Sequence, residues 1–187
     1  MKLLKHTLAA LALTLLPATG IAAQWQVDTG NSQVDFDYTR NGKSATGIFG
    51  AFSGTGDFDP AAPETAQLVV KIDSRSIDLD DQLASAFATS AEWFESKNHR
   101  FITYRLTGLK PRADGKYDAT GELSMRGANK PVAAVIELDF NGPVATATGT
   151  VRLNRTDYLL GVGPSAAFVE IGPEVAVRFA LKARKAQ

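Results

Sequence analysis

The sequence predicts an all-β, antiparallel fold of about eight strands with one short helical insertion, and three observations predict it. After Trp25, apolar and polar residues alternate with a period of two through most of the chain, the signature of strands with one buried face. Short turn signals such as Asp114-Gly115 and Asn141-Gly142-Pro143 join consecutive alternating runs. A single stretch, between Asp78 and Ser96, changes to helical spacing. Eight strands suit a closed barrel with room for one small ligand. A β-sandwich explains the same alternation, but the long strands, the helix after the third of them and the missing cysteine pair tell against the immunoglobulin type.

The elements follow in order. Val34, Phe36 and Tyr38 alternate with Asp35, Asp37 and Thr39, giving a first long strand with a clear inside. Ile48, Phe52 and Phe58 share the next face, and Gly50, Gly54 and Gly56 between them point to bends or bulges. Asp59-Pro60-Ala61-Ala62-Pro63 breaks the chain before a strand that turns Leu68, Val70 and Ile72 to one side. Leu79, Leu83 and Phe87 then fall four apart, with Asp78 or Asp80 placed to cap the helix, and Trp93 and Phe94 give a following turn something to bury. Strands resume with Ile102, Tyr104 and Leu106, and Tyr117, Ala119, Leu123 and Met125 follow the Asp114-Gly115 turn. Gly127 to Pro131 is expected to turn into Val132, Ala134, Ile136, Leu138 and Phe140. Asn141-Gly142-Pro143 leads into a strand from Val144 to Leu153, and the last turns Val175, Val177, Phe179 and Leu181 inward.

Ahead of this pattern, Met1 to Ala23 reads as a secretory signal. Lys2 and Lys5 make a positive start, Leu8 to Leu16 an apolar core and Gly20-Ile21-Ala22-Ala23 a small-residue cleavage zone. The apolar run is shorter than the roughly 18 residues a membrane span needs. Cleavage after Ala23 leaves 164 of the 187 residues, enough for one domain, 24–187, with a sizeable core. Lys and Arg number 20 against 20 for Asp and Glu, and loss of Lys2 and Lys5 tips the balance to −2. Such near-neutrality argues against nucleic acid or an anionic membrane surface as the partner, since both need a concentrated basic face. With no cysteine there is no disulfide, thiolate nucleophile or cysteine metal site, and the core alone must supply stability.

Catalytic residues are not expected. His6 leaves with the signal, so His99 is the one histidine remaining, with neither a second metal-ligand type nor a nucleophile-elbow serine beside it. Asp73, Asp78, Asp80 and Asp81 lack the alternating ligands of a calcium loop, and Asp78 and Asp80 are explained better as helix caps. No metal is expected. Arg126 and Arg155 each stand where a strand meets a turn. Exposure is the ordinary fate of such an arginine; the functional alternative is that they fix a barrel mouth or receive a polar headgroup.

Ser32-Gln33-Val34-Asp35-Phe36, Gly47-Ile48-Phe49-Gly50-Ala51-Phe52-Ser53-Gly54, Phe58-Asp59-Pro60 and Ile72-Asp73-Ser74-Arg75-Ser76-Ile77 occur in that order. Trp93-Phe94-Glu95, Ile102-Thr103-Tyr104, the run from Gly121 to Val132 around Arg126-Gly127, and Arg155-Thr156-Asp157-Tyr158 follow. This ordered set resembles the YceI-like, polyisoprenoid-binding family of periplasmic proteins over essentially the whole mature chain. The resemblance implies an extended, lipocalin-like antiparallel barrel whose apolar channel takes an isoprenoid chain, such as a quinone or polyprenyl tail. Where the family often carries histidines around its first strand, this chain has Asn31 and Arg40; Asp80-Asp81-Gln82 and Arg100 also depart from the pattern. These changes remove groups that meet a headgroup, so the channel carries over better than the headgroup chemistry.

The leading expectation is therefore a periplasmic binding or carrier protein, not an enzyme, for an isoprenoid or similar long-chain lipid. Its lumen is expected to be lined by Phe36, Tyr38, Phe52, Leu68, Val70, Ile72, Tyr104, Leu106, Ile136, Leu138 and Phe179, with Arg126 and Arg155 at a polar mouth. Alternation alone predicts a packed core equally well, and a continuous cavity separates the two. No cofactor is expected beyond a bound isoprenoid lipid or quinone; transient membrane contact and a homodimer are compatible with an apolar mouth beside a helix. The alternative is an interaction or stress-response protein that supports a membrane redox system without carrying lipid, marked by a filled lumen and an exposed apolar patch around Trp93, Phe94 and Phe168.

Overall fold

The computed structural model describes residues 23–164 and 168–186; apart from Ala23, the expected signal lies outside them. The chain forms β1 (Ala23–Val27), β2 (Gln33–Arg40), β3 (Lys43–Phe49), β4 (Phe52–Phe58), β5 (Gln67–Asp73), β6 (Ile77–Asp78), α1 (Gln82–Ala88), β7 (Phe101–Pro111), β8 (Tyr117–Met125), β9 (Ala128–Asn141), β10 (Val144–Asn154) and β11 (Glu174–Lys185). All pairings are antiparallel, and β1-β4-β5-β7-β8-β9-β10-β11 closes on itself where Trp25 pairs with Lys185. The eleven segments make eight staves. β2 continues β1 after a 3-10 turn at Thr29–Asn31 and still pairs with β11; β3 runs into β4, and β6 continues the line of β5 beside β3. The result is a closed meander barrel.

Staves are broken where the sequence breaks its own alternation. The run expected as one strand from Ile48 to Phe58 bends at Gly50-Ala51, whose amides donate to the Ser76 carbonyl and Ser76 Oγ, both at 3.0 Å. The bend shifts the alternation by one residue, as a bulge does. Phe49 is therefore buried, whereas Ile48, expected to face inward, is 42% exposed.

Two further expectations change. The helix is α1 alone, seven residues, and its cap is Asp81, whose carboxylate accepts from the Leu83 and Ala84 amides at 2.9 and 3.1 Å. Neither Asp78 nor Asp80 caps it: Asp78 accepts from the Asp80 amide, and Asp80 sits in the left-handed region (φ 57°). The turn expected from Gly127 to Pro131 is only Arg126-Gly127, both left-handed (φ 48° and 78°), and β9 already runs through Pro131. A two-residue turn makes Met125–Ala128 a hydrogen-bonded pair, so alternate residues Asn129, Pro131, Ala133 and Val135 direct their backbone groups away from β8, towards β10. There β10 does not follow, for the β9–β10 ladder ends at Ile136–Gly149. Proline, lacking an N–H, is at home on that free edge.

Hairpins at Arg112–Lys116 and Gly142-Pro143 and the loop from Asp59 to Ala66 gather at one end of the barrel, the turn end. The β2–β3 and β8–β9 turns, the 74–100 segment carrying α1 and the 155–164 and 168–173 segments gather at the other, the helical end.

Candidate functional site

The inward residues of the staves do not meet in the middle. They surround a cavity of about 380 Å³ that runs the length of the barrel, bounded by Trp25 and Phe140 towards the turn end and by Phe87, Trp93 and Leu160 towards the helical end. The volume falls within the range of roughly 300–1,000 Å³ usual for ligand pockets. The wall is overwhelmingly apolar; its charged members are Arg40, Asp57 and Arg155.

Of the residues expected in the lumen, Phe36 and Tyr38 line the cavity from β2, and Leu68, Val70 and Ile72 from β5. Tyr104 and Leu106 do so from β7, Ile136 and Leu138 from β9, and Phe179 from β11. Phe52 does not: just after the bend, it packs against the same core without reaching the cavity wall. Close approach of backbone makes room for the larger rings. A Cβ on Gly121 would lie 2.3 Å from the Tyr104 ring, and one on Gly149 would lie 2.7 Å from Phe179. Burial pushes the Tyr104 hydroxyl up to about 12, so it stays a neutral donor. Sequence reasoning missed Trp25, Phe49, Phe58 and Tyr158 on this wall. Phe49 carried a usable signal in the Gly50 that shifts its parity; Tyr158, 2% exposed in a 3-10 turn, carried none.

Of the two arginines, Arg155 lines the cavity and Arg126 does not, and both spend their donors on loop carbonyls. Arg155 Nε donates to the Gly172 carbonyl at 3.0 Å, Nη2 to Ile171 at 2.6 Å, and Nη1 to Gly161 at 3.1 Å and to Leu160. Its guanidinium lies 5.4 Å from the Trp93 ring centroid, and burial lowers its pKa. Arg126 donates to the carbonyls of Ala91, at 2.6 Å, and Leu159, and pairs with Glu95 at 3.6 Å. Each thus ties loops together by backbone carbonyls, a role the planar five-donor fork suits. Around Arg126, the Asn98 side chain, then His99 and Arg126, hold the Glu95 carboxyl below its ordinary range. His99 lies 3.8 Å from Glu95 and against Gly127, bracing the β8–β9 turn. Asp73 is held well below the carboxylate range, chiefly by Arg75 and then Arg100, and its side chain accepts from the Arg75 amide to cap the 3-10 turn at Ser74–Ser76.

Outside the mouth, Leu83, Phe87, Leu159, Val162 and Phe168 are exposed, Leu83 by 82% and Phe168 by 86%. Phe87 also lines the cavity and its ring centroid lies 6.3 Å from that of Trp93, so apolar surface continues from lumen to exterior. Trp93 and Phe94 themselves are half-buried in the core, not exposed.

Fold and site together define an eight-stave antiparallel barrel with an apolar lumen, lipocalin-like in architecture. The chain belongs to the YceI-like domain family, which it matches over residues 25–183. A UPF0312 protein of Azotobacter vinelandii is 35% identical over 183 residues, covering 90% of this chain and 95% of that protein; one of Ectopseudomonas mendocina is 29% identical over the same shares. Among solved structures, Burkholderia cenocepacia BcnA is similar with a TM-score of 0.76 at 26% identity, covering 83% of this chain and 98% of that one. A polyisoprenoid-binding domain from Saccharophagus degradans, implicated in plant cell wall breakdown, shares the fold with a TM-score of 0.70 at 15% identity, covering 89% and 100%.

Proposed function

We propose that this protein is an exported carrier that holds an isoprenoid, of polyprenyl or quinone type, or a similar long-chain lipid inside its barrel. The observation that carries the reading is the apolar cavity itself, which a packed core would not leave. An interaction protein without cargo calls for a filled lumen, and this one is not filled. Burial at about 0.8 kcal/mol per CH₂ gives each five-carbon unit up to roughly 4 kcal/mol before ordering costs, so a few units bind without polar contacts. The fold shared with a polyisoprenoid-binding domain supports the same cargo class. Export rests on the Met1–Ala23 signal and implies the periplasm; cleavage after Ala22 would leave β1 whole. The apolar tip around Leu83 and Phe168 suits transient contact with the membrane from which such a lipid comes, and a second copy of the chain is the competing occupant.

The test is organic extraction of protein purified from its periplasmic fraction, followed by mass spectrometry. A stoichiometric long-chain lipid is expected. Protein that repeatedly yields none, and that takes up no added isoprenoid, would overturn the reading.

A further inference from the structure

Over much of its length the seam between β9 and β10 has no ladder. β9 pairs with β8 along Ala128–Ile136, and β10 with β11 along Val144–Asn154, but β9 and β10 pair with each other only from the hairpin to Ile136–Gly149. Continuing that register would set Val135 opposite Thr150 and Ala133 opposite Arg152. No pair joins the two stretches among the described residues. The seam ends below at Ile136–Gly149 and above at the 3-10 turn Arg155–Tyr158, which packs against β9. An external cleft runs along it, lined by Ala133, Val135, Thr150 and Arg152. Inside, Val132, Val151 and Leu153 line the lumen from the two lips and are only half-buried. Ala134 belongs to both walls, so one small side chain is common to lumen and exterior.

We propose that this seam is a lateral portal: cargo passes into and out of the lumen sideways, between β9 and β10, and not through either end of the barrel. The portal rests on the carrier reading and adds a route to it. Both ends are costly to open. Phe58, Phe140 and Trp25 are in ring contact at one, and the loops of the other hang on the bonds of Arg126 and Arg155 to backbone carbonyls. Parting β10 from β11 would break a ladder that is continuous from Val144 to Asn154. Parting the lips breaks no ladder bond, and lost backbone bonds are what make opening expensive elsewhere. No charge spans the lips either. Arg152 is exposed and makes no ion pair among the described residues, whereas Arg178 ties β11 to Asp35 and Asp37 of β2. An unpaired edge invites a further strand, but Pro131 offers no N–H there and Lys130 adds a charge, both usual guards of an open edge. The edge is kept free of a docking strand, while the small side chains of Ala133 and Ala134 leave room for a lipid chain.

The chain has no cysteine, so two introduced thiols can be joined on the folded protein by the reducible linker dithiobis(maleimidoethane). Ala133→Cys with Arg152→Cys ties the lips. Asp139→Cys with Thr146→Cys is the control, tying the same strands where they already pair. Uptake and release of all-trans-retinol, a fluorescent isoprenoid, are followed by stopped flow. Linking the lips is expected to slow both roughly tenfold or more and to leave Kd unchanged, because a barrier to passage acts equally in both directions. Reducing the linker should restore the rates, and the control link should change neither. Val135→Cys with Thr150→Cys ties the lips lower down and carries the test if the first pair does not fold. Unchanged rates in the lip-linked protein, equal slowing by the control link, or slowing that reduction does not reverse overturns the portal and leaves the carrier reading standing. Retinol uptake absent from the unaltered protein would instead overturn the carrier reading, and the portal with it.

Discussion

Arg112 at the turn end and Arg155 at the helical end are the same side chain put to opposite uses. Arg112 reaches Asp118 at 2.8 Å and Asp114 at 3.2 Å on an exposed hairpin, and those carboxylates raise its pKa. Among the described residues, the donors of Arg155 meet neutral carbonyls; its guanidinium lies over Trp93, and burial lowers its pKa. The ends around them follow suit. The turn end is shut by rings in contact, Phe58 stacked on Phe140 at 4.9 Å with Trp25 edge-on at 5.8 Å, under tight charged hairpins. At the helical end, long segments are held over the cavity by side-chain-to-backbone bonds and present apolar residues outward. A closed ladder needs no further support at the first end, whereas irregular backbone at the second must have its carbonyls satisfied by something, and arginine supplies five donors at once.

The largest effect should therefore come from Arg155. Arg155→Met leaves four carbonyls without their donor and is expected to cost about 3 kcal/mol, read as a lowered midpoint in chemical denaturation. Arg155→Lys should recover little, because a point-charge ammonium cannot span the same carbonyls. Loss below about 1 kcal/mol for Met, the range of an exposed pair, would make the two arginines equivalent and dissolve the contrast.

This contrast was only half legible in the sequence. Alternation gave β2, β5, β9 and β11 and their inward faces, because a side-chain period of two is all that a one-sided strand requires. It failed wherever one residue was added or a local signal was overridden. Phe49 and Ile48 exchange faces at the Gly50-Ala51 bend. Pro131 reads as a turn residue and yet lies within β9, since the missing N–H falls on a stretch of edge where β9 has no partner. The helix is shorter than its spacing suggested because Thr89 and Ser90 close it with bonds back to Ala86 and Phe87. At the site, the lumen residues were readable as an inward set, but the cavity between them was not, because it depends on how far apart closed staves stand. The arginines were singled out by position alone. Their partners are backbone carbonyls as distant as Ala91 and Leu159 from Arg126, and no residue type announces a carbonyl.

A middle-sized effect sharpens the outward side of the comparison. Apolar residues at the tip, Leu83 and Phe168, contribute little to the core because they are 82% and 86% exposed. Leu83→Ser with Phe168→Ser should leave thermal stability unchanged while reducing co-sedimentation with phosphatidylethanolamine–phosphatidylglycerol vesicles several-fold, as expected when about 1.5–3 kcal/mol per buried apolar side chain is lost. Unaltered vesicle binding, or a shift from dimer to monomer instead, would assign the tip to another copy of the chain.

The smallest effect belongs to the turn end and is informative for being small. Arg112→Ala removes two ion pairs at once, together with whatever order they impose on the hairpin. Exposed pairs are screened by water and salt and gain little over their ordering cost. The hairpin keeps its register without them: Gly115, with φ of 80°, adopts the left-handed turn conformation, Arg112 N donates to the Lys116 carbonyl at 2.8 Å, and Pro111–Tyr117 closes the ladder. Denaturation of Arg112→Ala should coincide with that of the unaltered protein at both low and high salt. A clear loss at low salt that disappears at high salt would mean that charge, and not backbone geometry, holds the turn end shut.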